Sequence, residues 1–151
     1  MTASIYNIIK QIEKLMYGHN FQVCLGIDIF NGEGTSDFVH SFKTKYPNSN
    51  PDQYSLSPLN KEELFNDIID KLNFRGDKGA GLTLTRKKEL KLKTLQQAYI
   101  DYIRQLINKQ TTYFAYPYLD GLPGYSVFWD YCYVLFTGNH KIVLVYGSSS
   151  D

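Results

Sequence analysis

The stretch VCLGIDIFNGEGTSDF, Val23 to Phe38, decides how the rest of the chain is read. Phe21, Val23, Leu25, Ile27 and Ile29 recur with a period of two, the pattern of a strand with one buried face that ends near Phe30. The strand carries Asp28 toward Asn31-Gly32-Glu33-Gly34-Thr35, where closely spaced glycines let backbone N–H groups reach an anion. Either this turn cradles a phosphate or it only reverses the chain, with FVHSF (Phe38–Phe42) as the short partner strand.

The segment LGIDIFNGEGT superficially resembles the first phosphate loop of sugar kinases and actin-like ATPases. Phe30 and Asn31, however, stand where that family usually has small glycines, and 151 residues cannot supply its two domains. Asp28, Glu33 and Asp37 do not make an EF-hand either, because the alternating oxygen ligands and the bidentate Glu are missing. The expectation is therefore a Gly-rich hairpin that binds no nucleotide, with acids on its surface.

Length and composition fit this reading. A chain of 151 residues supports one domain, 1–151, with its own core. With 43% hydrophobic and 21% charged residues it has the composition of an ordinary globular protein. No run approaches the roughly 20 apolar residues needed to span a bilayer, and the N-terminus lacks the pattern of a signal peptide, so a cytoplasmic protein is expected. Cys24 and Cys132 lie in apolar, strand-like stretches without metal-ligand spacing and read as free buried thiols. Neither a metal site nor a cofactor is expected.

The formal charge of +1 hides an uneven distribution. Residues 1–70 carry five Lys against nine Asp or Glu, residues 71–110 ten basic against three acidic, and residues 111–151 one against three. The basic run RKKELKLK offers Arg86, Lys87, Lys88, Lys91 and Lys93 to phosphates. In a chain this close to neutral it reads instead as a solvated surface, and direct nucleic-acid binding is not expected.

Periodicity outlines an α+β architecture of about three helices packed on a mainly antiparallel sheet of about five to seven strands. Helices are expected at 4–17, with Ile5, Ile8, Ile9, Ile12, Leu15 and Met16 inward; at 60–72, opened by Asn60 and Glu63; and at 95–109, opened by Thr94 and Gln97. Residues 82–93 alternate as a hairpin would, the competing possibility being that they extend the third helix. The Pro-, Asn- and Ser-rich stretch 43–60 is a long loop. Strands are expected at 21–30, 127–136 and 141–146, with TTYFAY extended up to Pro117, and the last apolar strand lies inside the sheet before the chain stops at GSSSD.

His19, His40 and His140 are scattered, and no nucleophile motif accompanies them. Asp28, Asp120 and Asp130 could converge for acid–base work, but any chain with 15 acids offers such sets. The most informative tract is YFAYPYLDGLPGYSVFW (Tyr113–Trp129), where Tyr116, Tyr118 and Tyr125 surround turn-forming residues and rigid rings would serve as interface anchors.

In size, α+β order, aromatic β-rich C-terminal third and the ending KIVLVYGSSSD, the chain resembles the small cytoplasmic immunity proteins of bacterial contact-dependent inhibition and polymorphic toxin systems. That resemblance implies a non-enzymatic protein that binds a cognate toxin domain, a nuclease being the natural case, and blocks its active site. Its partner surface would combine Glu33 and Asp37 with Tyr116, Tyr118, Asp120, Tyr125 and Trp129. The alternative is a small hydrolase or nucleic-acid-processing enzyme, which needs a concave site with convergent titratable groups.

Overall fold

Two ten-residue strands organise the molecule. In the computed structural model, which describes residues 2–77, 79, 81–117 and 120–151, β1 (Gln22–Asn31) pairs antiparallel along its whole length with the last strand, Lys141–Ser150. The five strands are β1, β2 (Ser57–Leu59), β3 (Thr112–Ala115), β4 (Trp129–Phe136) and β5 (Lys141–Ser150), in the spatial order β1-β5-β4-β3-β2 with every pairing antiparallel. As its composition predicts, β5 lies inside the sheet, between β1 and β4. The fold is α+β.

The strand extends farther than its apolar run. Ser148, Ser149 and Ser150 belong to β5 and are buried, because β1 satisfies the backbone on one side and the segment around β4 does so on the other. Val127 and Phe128 both donate backbone N–H groups to the Ser149 carbonyl. Small residues are required here: a Cβ on Gly147 would stand 2.7 Å from the Tyr131 ring, and Ser148 lies under the backbone of Gly124.

Because alternate residues of each strand face opposite ways, the sheet has two apolar faces. Val23, Leu25 and Ile27 of β1, Val143 and Val145 of β5, and Trp129, Tyr131, Tyr133 and Leu135 of β4 share one core with three helices. These are α1 (Thr2–Leu15), α3 (Lys61–Leu72) and α4 (Arg86–Leu106). Helix α1 contributes Ile5, Ile9 and Ile12 at helical spacing. Helix α3 begins with the anticipated capping box: Asn60 Oδ1 accepts from Glu63 N at 2.8 Å, and Glu63 Oε1 accepts from Asn60 N. The opposite face carries Cys132, Val134, Ile142, Leu144 and Tyr146 under Phe38, Phe42 and Tyr46.

Those three aromatics identify a correction. Residues 34–45 form a helix, α2 (Gly34–Lys45), and not the second arm of a hairpin. In FVHSF the apolar residues Phe38 and Phe42 satisfy both a period of two and a spacing of four. Tyr46, four residues on, completes a helical aromatic face against the sheet, and that burial decides between the two. Gly34, at φ 73, supplies the left-handed step that turns β1 into α2.

A second correction concerns residues 82–93. Thr85 accepts from Lys88 N and caps a helix of 21 residues, so α4 starts at Arg86, well before Thr94. Leu92 is fully buried on the same stripe as Gln96, Tyr99 and Ile103, and Arg75 grips Glu89 in the first turn, Nη2 to Oε1 at 2.6 Å. Four α-helices thus accompany the sheet among the described residues. The 43–60 stretch contains a one-turn 3-10 helix, Pro51–Gln53, and the edge strand β2. Both cysteines are free, Cys132 being fully enclosed and Cys24 partly so.

Candidate functional site

Asp28 does not enter a turn. It sits in mid-β1, 6% exposed, on the sheet face beneath α2. Lys45, in the last turn of α2, reaches its Oδ1 at 2.5 Å, and the Tyr46 hydroxyl donates to Oδ2. Tyr146 closes the cluster with its hydroxyl 3.3 Å from that of Tyr46, and its ring lies across Gly26, where a Cβ would come within 2.1 Å of it. Burial pushes the Tyr146 phenol up to about 12, and burial together with Asp28 holds the Tyr46 phenol still higher. The carboxylate is occupied by a lysine and a phenol, which suits a device that fastens α2 to β1. The glycines beyond it are also occupied: Gly32 lies against the Asp37 carboxyl, which accepts from Glu33 N at 2.8 Å.

The residues expected to form a partner surface are not gathered in one place. Glu33 and Asp37 are exposed at one end of β1, with Glu33 Oε1 3.3 Å from His140 Nδ1. Tyr125 is 71% exposed but follows Gly124, which rests on Cys24 and Ser148. Seven strand residues between Cys24 and Asn31 separate the two ends by about 23 Å. Tyr116, Asp120 and Trp129 are buried. Asp120 accepts from the Asn50 backbone and from the Tyr116 hydroxyl, so the pair ties two loops together, and Trp129 stacks on Tyr131 at 5.9 Å inside the helical core. Tyr118 lies outside the described residues. Asp130, named as a candidate acid, instead accepts from Ser126 Oγ at 2.6 Å.

An extended concave feature of the surface lies elsewhere, between α3 and α4. Three depressions adjoin along it, with cavity volumes of about 300, 280 and 470 Å³. Leu72, Asn73 and Lys93 line one end, and Lys61 and Arg104 the other, so the two helices run antiparallel. The first two depressions share Ile69, and the second and third share Lys61 and Arg104. Tyr133 and Lys71 pin α3 to β4: the Tyr133 hydroxyl donates to Asp67, and Lys71 Nζ donates to the Asp130 carbonyl at 2.6 Å. Buried Gln96 donates to the Leu72 carbonyl at 2.7 Å and fixes the far end of α3 to α4.

The chemistry of the groove is aliphatic and basic. Ile69 is 37% exposed on its wall and Ile100 is buried at its base. Arg104 lies over the Phe65 ring at 4.2 Å, its charge remaining in solvent. Lys61, Arg104 and Lys109 have no carboxylate partner among the described residues, and Lys93 touches only the field of Glu89, already held by Arg75. Glu62 is the acid among the lining residues. Only Lys93 of this set belonged to the basic run singled out in the sequence. The missed signal is Ile69, which extends the Phe65-Leu72 stripe by more than one neighbouring helix covers.

No family model and no curated protein matches the sequence. Among solved structures, two crystal forms of citrus MAF1 share the fold. One aligns with a TM-score of 0.57 over 95% of this chain and 97% of that one at 10% identity. The other gives 0.55 over 95% and 98% at 13% identity. At such identities the likeness describes the architecture: this chain shares the fold of citrus MAF1 over the aligned 95% of its length.

Proposed function

We propose that the protein is a non-catalytic binding protein of MAF1 type, acting by docking a protein partner. The observation that carries this reading is the extensive mutual coverage with citrus MAF1, 95% of this chain and 97% of that one, so the likeness is more than a common substructure. The disposition of polar groups supports it. Asp28, Asp67 and Asp120 are taken up by hydroxyl, lysine and backbone donors within the fold, and the concave surface is a long shallow groove with an aliphatic wall and exposed cations. A catalytic site would need convergent groups free to react. The test is replacement: expressed in plant cells deprived of their own MAF1, the chain should restore the normal state. Failure of a well-expressed, folded protein to do so would refute the MAF1-type reading.

A second reading, immunity against a bacterial toxin domain, draws on exposed Glu33 and Asp37 at the β1–α2 turn. It requires binding through that end of the molecule, with Tyr125 too remote to join it. Co-expression with a toxin domain encoded beside the gene decides it, by co-purification and restored growth.

A further inference from the structure

We infer that the α3–α4 groove is the docking site for an acidic, amphipathic helical segment of another protein. This rests on the partner-binding reading above and adds the site and the chemistry of the partner.

The argument starts from dimensions. From Lys93 to Arg104 the α4 wall rises about 17 Å, the length of about three helical turns. A third helix laid between two antiparallel ones is a recurrent mode of peptide capture, anchored by residues at i, i+3, i+4 and i+7. Ile69 stands half-way along the groove and is exposed where the rest of its helix stripe is buried, so it is the natural contact for such anchors.

Charge then selects the partner. Lys61, Arg104 and Lys109 gather at one end without carboxylate partners among the described residues, and Lys93 stands at the other. An acidic segment would neutralise them, with most of its carboxylates toward the Lys61 end, and would be steered into place by them. Nucleic acid is the other polyanion to consider. A single strand needs a succession of open aromatic faces on which bases stack, whereas Phe65 is buried beneath Arg104, half-buried Tyr113 stands by itself at the Lys61 end, and the exposed wall between the ends is isoleucine.

The experiment uses the full chain and a phage-displayed library of random peptides of about 16 residues, a length that spans the groove with a turn to spare. The enriched peptides should be net acidic with aliphatic residues at helical spacing. Their affinity, read by fluorescence anisotropy, should fall at least tenfold in Lys61→Glu, in Arg104→Gln and in Ile69→Lys. It should stay unchanged in Lys14→Glu, which alters an exposed lysine on α1. All four positions are on helix surfaces, and circular dichroism confirms that each variant is folded. The inference is overturned if no peptide is enriched, if enriched peptides carry no net negative charge, or if they bind the groove variants as they bind the wild type. It is equally overturned if single-stranded DNA of similar length displaces them and binds more tightly, or if the free protein is a dimer that Ile69→Lys dissociates. Restoration of MAF1-deprived cells by the groove variants as well as by the wild type would refute the groove while leaving the MAF1-type reading intact. Failure of the wild type in those cells, with acidic peptides still bound as described, would do the reverse.

Discussion

Raising the pH should unfold this protein cooperatively near pH 11, and the cause is its tyrosines. Of thirteen, Tyr46, Tyr99, Tyr116, Tyr131, Tyr133 and Tyr146 are each at most 9% exposed. Burial raises the phenol of all six, that of Tyr146 to about 12. In the unfolded chain each ionises near 10. Between these values the folded state holds protons that the unfolded state has lost, so stability falls as pH rises. At pH 11 each unfolded tyrosine gains about 1.4 kcal/mol, and six gain about 8 kcal/mol, comparable to the roughly 5–15 kcal/mol that holds a domain together. Tyrosinate absorbance and far-ultraviolet circular dichroism, followed together, provide the assay. The six buried phenols should ionise in one step with the loss of secondary structure. Removing two of the six through Tyr99→Phe/Tyr131→Phe, whose hydroxyls meet at 2.6 Å, lowers the alkaline slope by a third and should raise the midpoint by about half a pH unit at equal starting stability. A smooth titration of all thirteen near pH 10, with the circular dichroism unchanged, would refute the reasoning.

Three further outcomes follow from the same packing. Gly26→Ala places a methyl 2.1 Å from the Tyr146 ring and must displace it from Tyr46, so a loss of at least about 2 kcal/mol is expected in urea melts, and an unchanged midpoint would contradict the geometry. Glu13, whose Oε2 accepts from Leu25 N at 2.9 Å, has its acidity weakened first by burial, against the pull of that N–H and of Lys10. Because a raised carboxyl favours the folded state only when protonated, Glu13→Gln should be more stable than the wild type at pH 7, with an advantage that vanishes as pH falls through the carboxylate range. Melting temperatures of both proteins from pH 4 to 8 check the sign. Asp28→Asn keeps an acceptor for Tyr46 but loses the charge facing half-exposed Lys45, and should cost about 1 kcal/mol. Neither it nor the wild type should show saturable stabilisation by ATP, since no free anion cradle adjoins Asp28.

The sheet was legible in the sequence wherever one periodicity persisted long enough to exclude the other. Phe21 to Ile29 alternate over nine residues and YCYVLF and KIVLVY are continuously apolar, so β1, β4 and β5 emerged together with the β4–β5 hairpin, while the neighbour expected for β1, FVHSF, is a helix and its true neighbour is β5. Where the run was short, local pattern was silent. Phe38 and Phe42 fit a strand or a helix equally, and only Tyr46 and the sheet beneath it distinguish them. Leu90 and Leu92 likewise alternate by accident. Leu92 is core while Leu90 is 58% exposed, and the lysines around them are the outer face of a long helix. The three serines of β5 carry no apolar signal at all and are strand because their backbone pairs with Gln22 to Cys24 of β1.

The surface was harder to read than the core because charge in a sequence records what is present and not what is already used. Among the acids of the first half, Glu33 and Asp37 are exposed, but Asp28 and Asp67 are bound by Tyr46 and Tyr133, and Glu13 holds a backbone N–H of β1. The aromatic tract looked like an interface, yet Tyr116 and Trp129 were needed to fill the two faces of the sheet. With these groups occupied, a chain of formal charge +1 presents an uneven surface, because Lys61, Arg104 and Lys109 keep their charge at one end of a groove whose lining holds a single acid, Glu62, among the described residues. That groove is formed by residues from two helices separated by more than twenty positions, and its exposed isoleucine belongs to a stripe whose other members are buried. Neither property has a local signature, so the surface proposed for a partner is one that only the tertiary arrangement reveals.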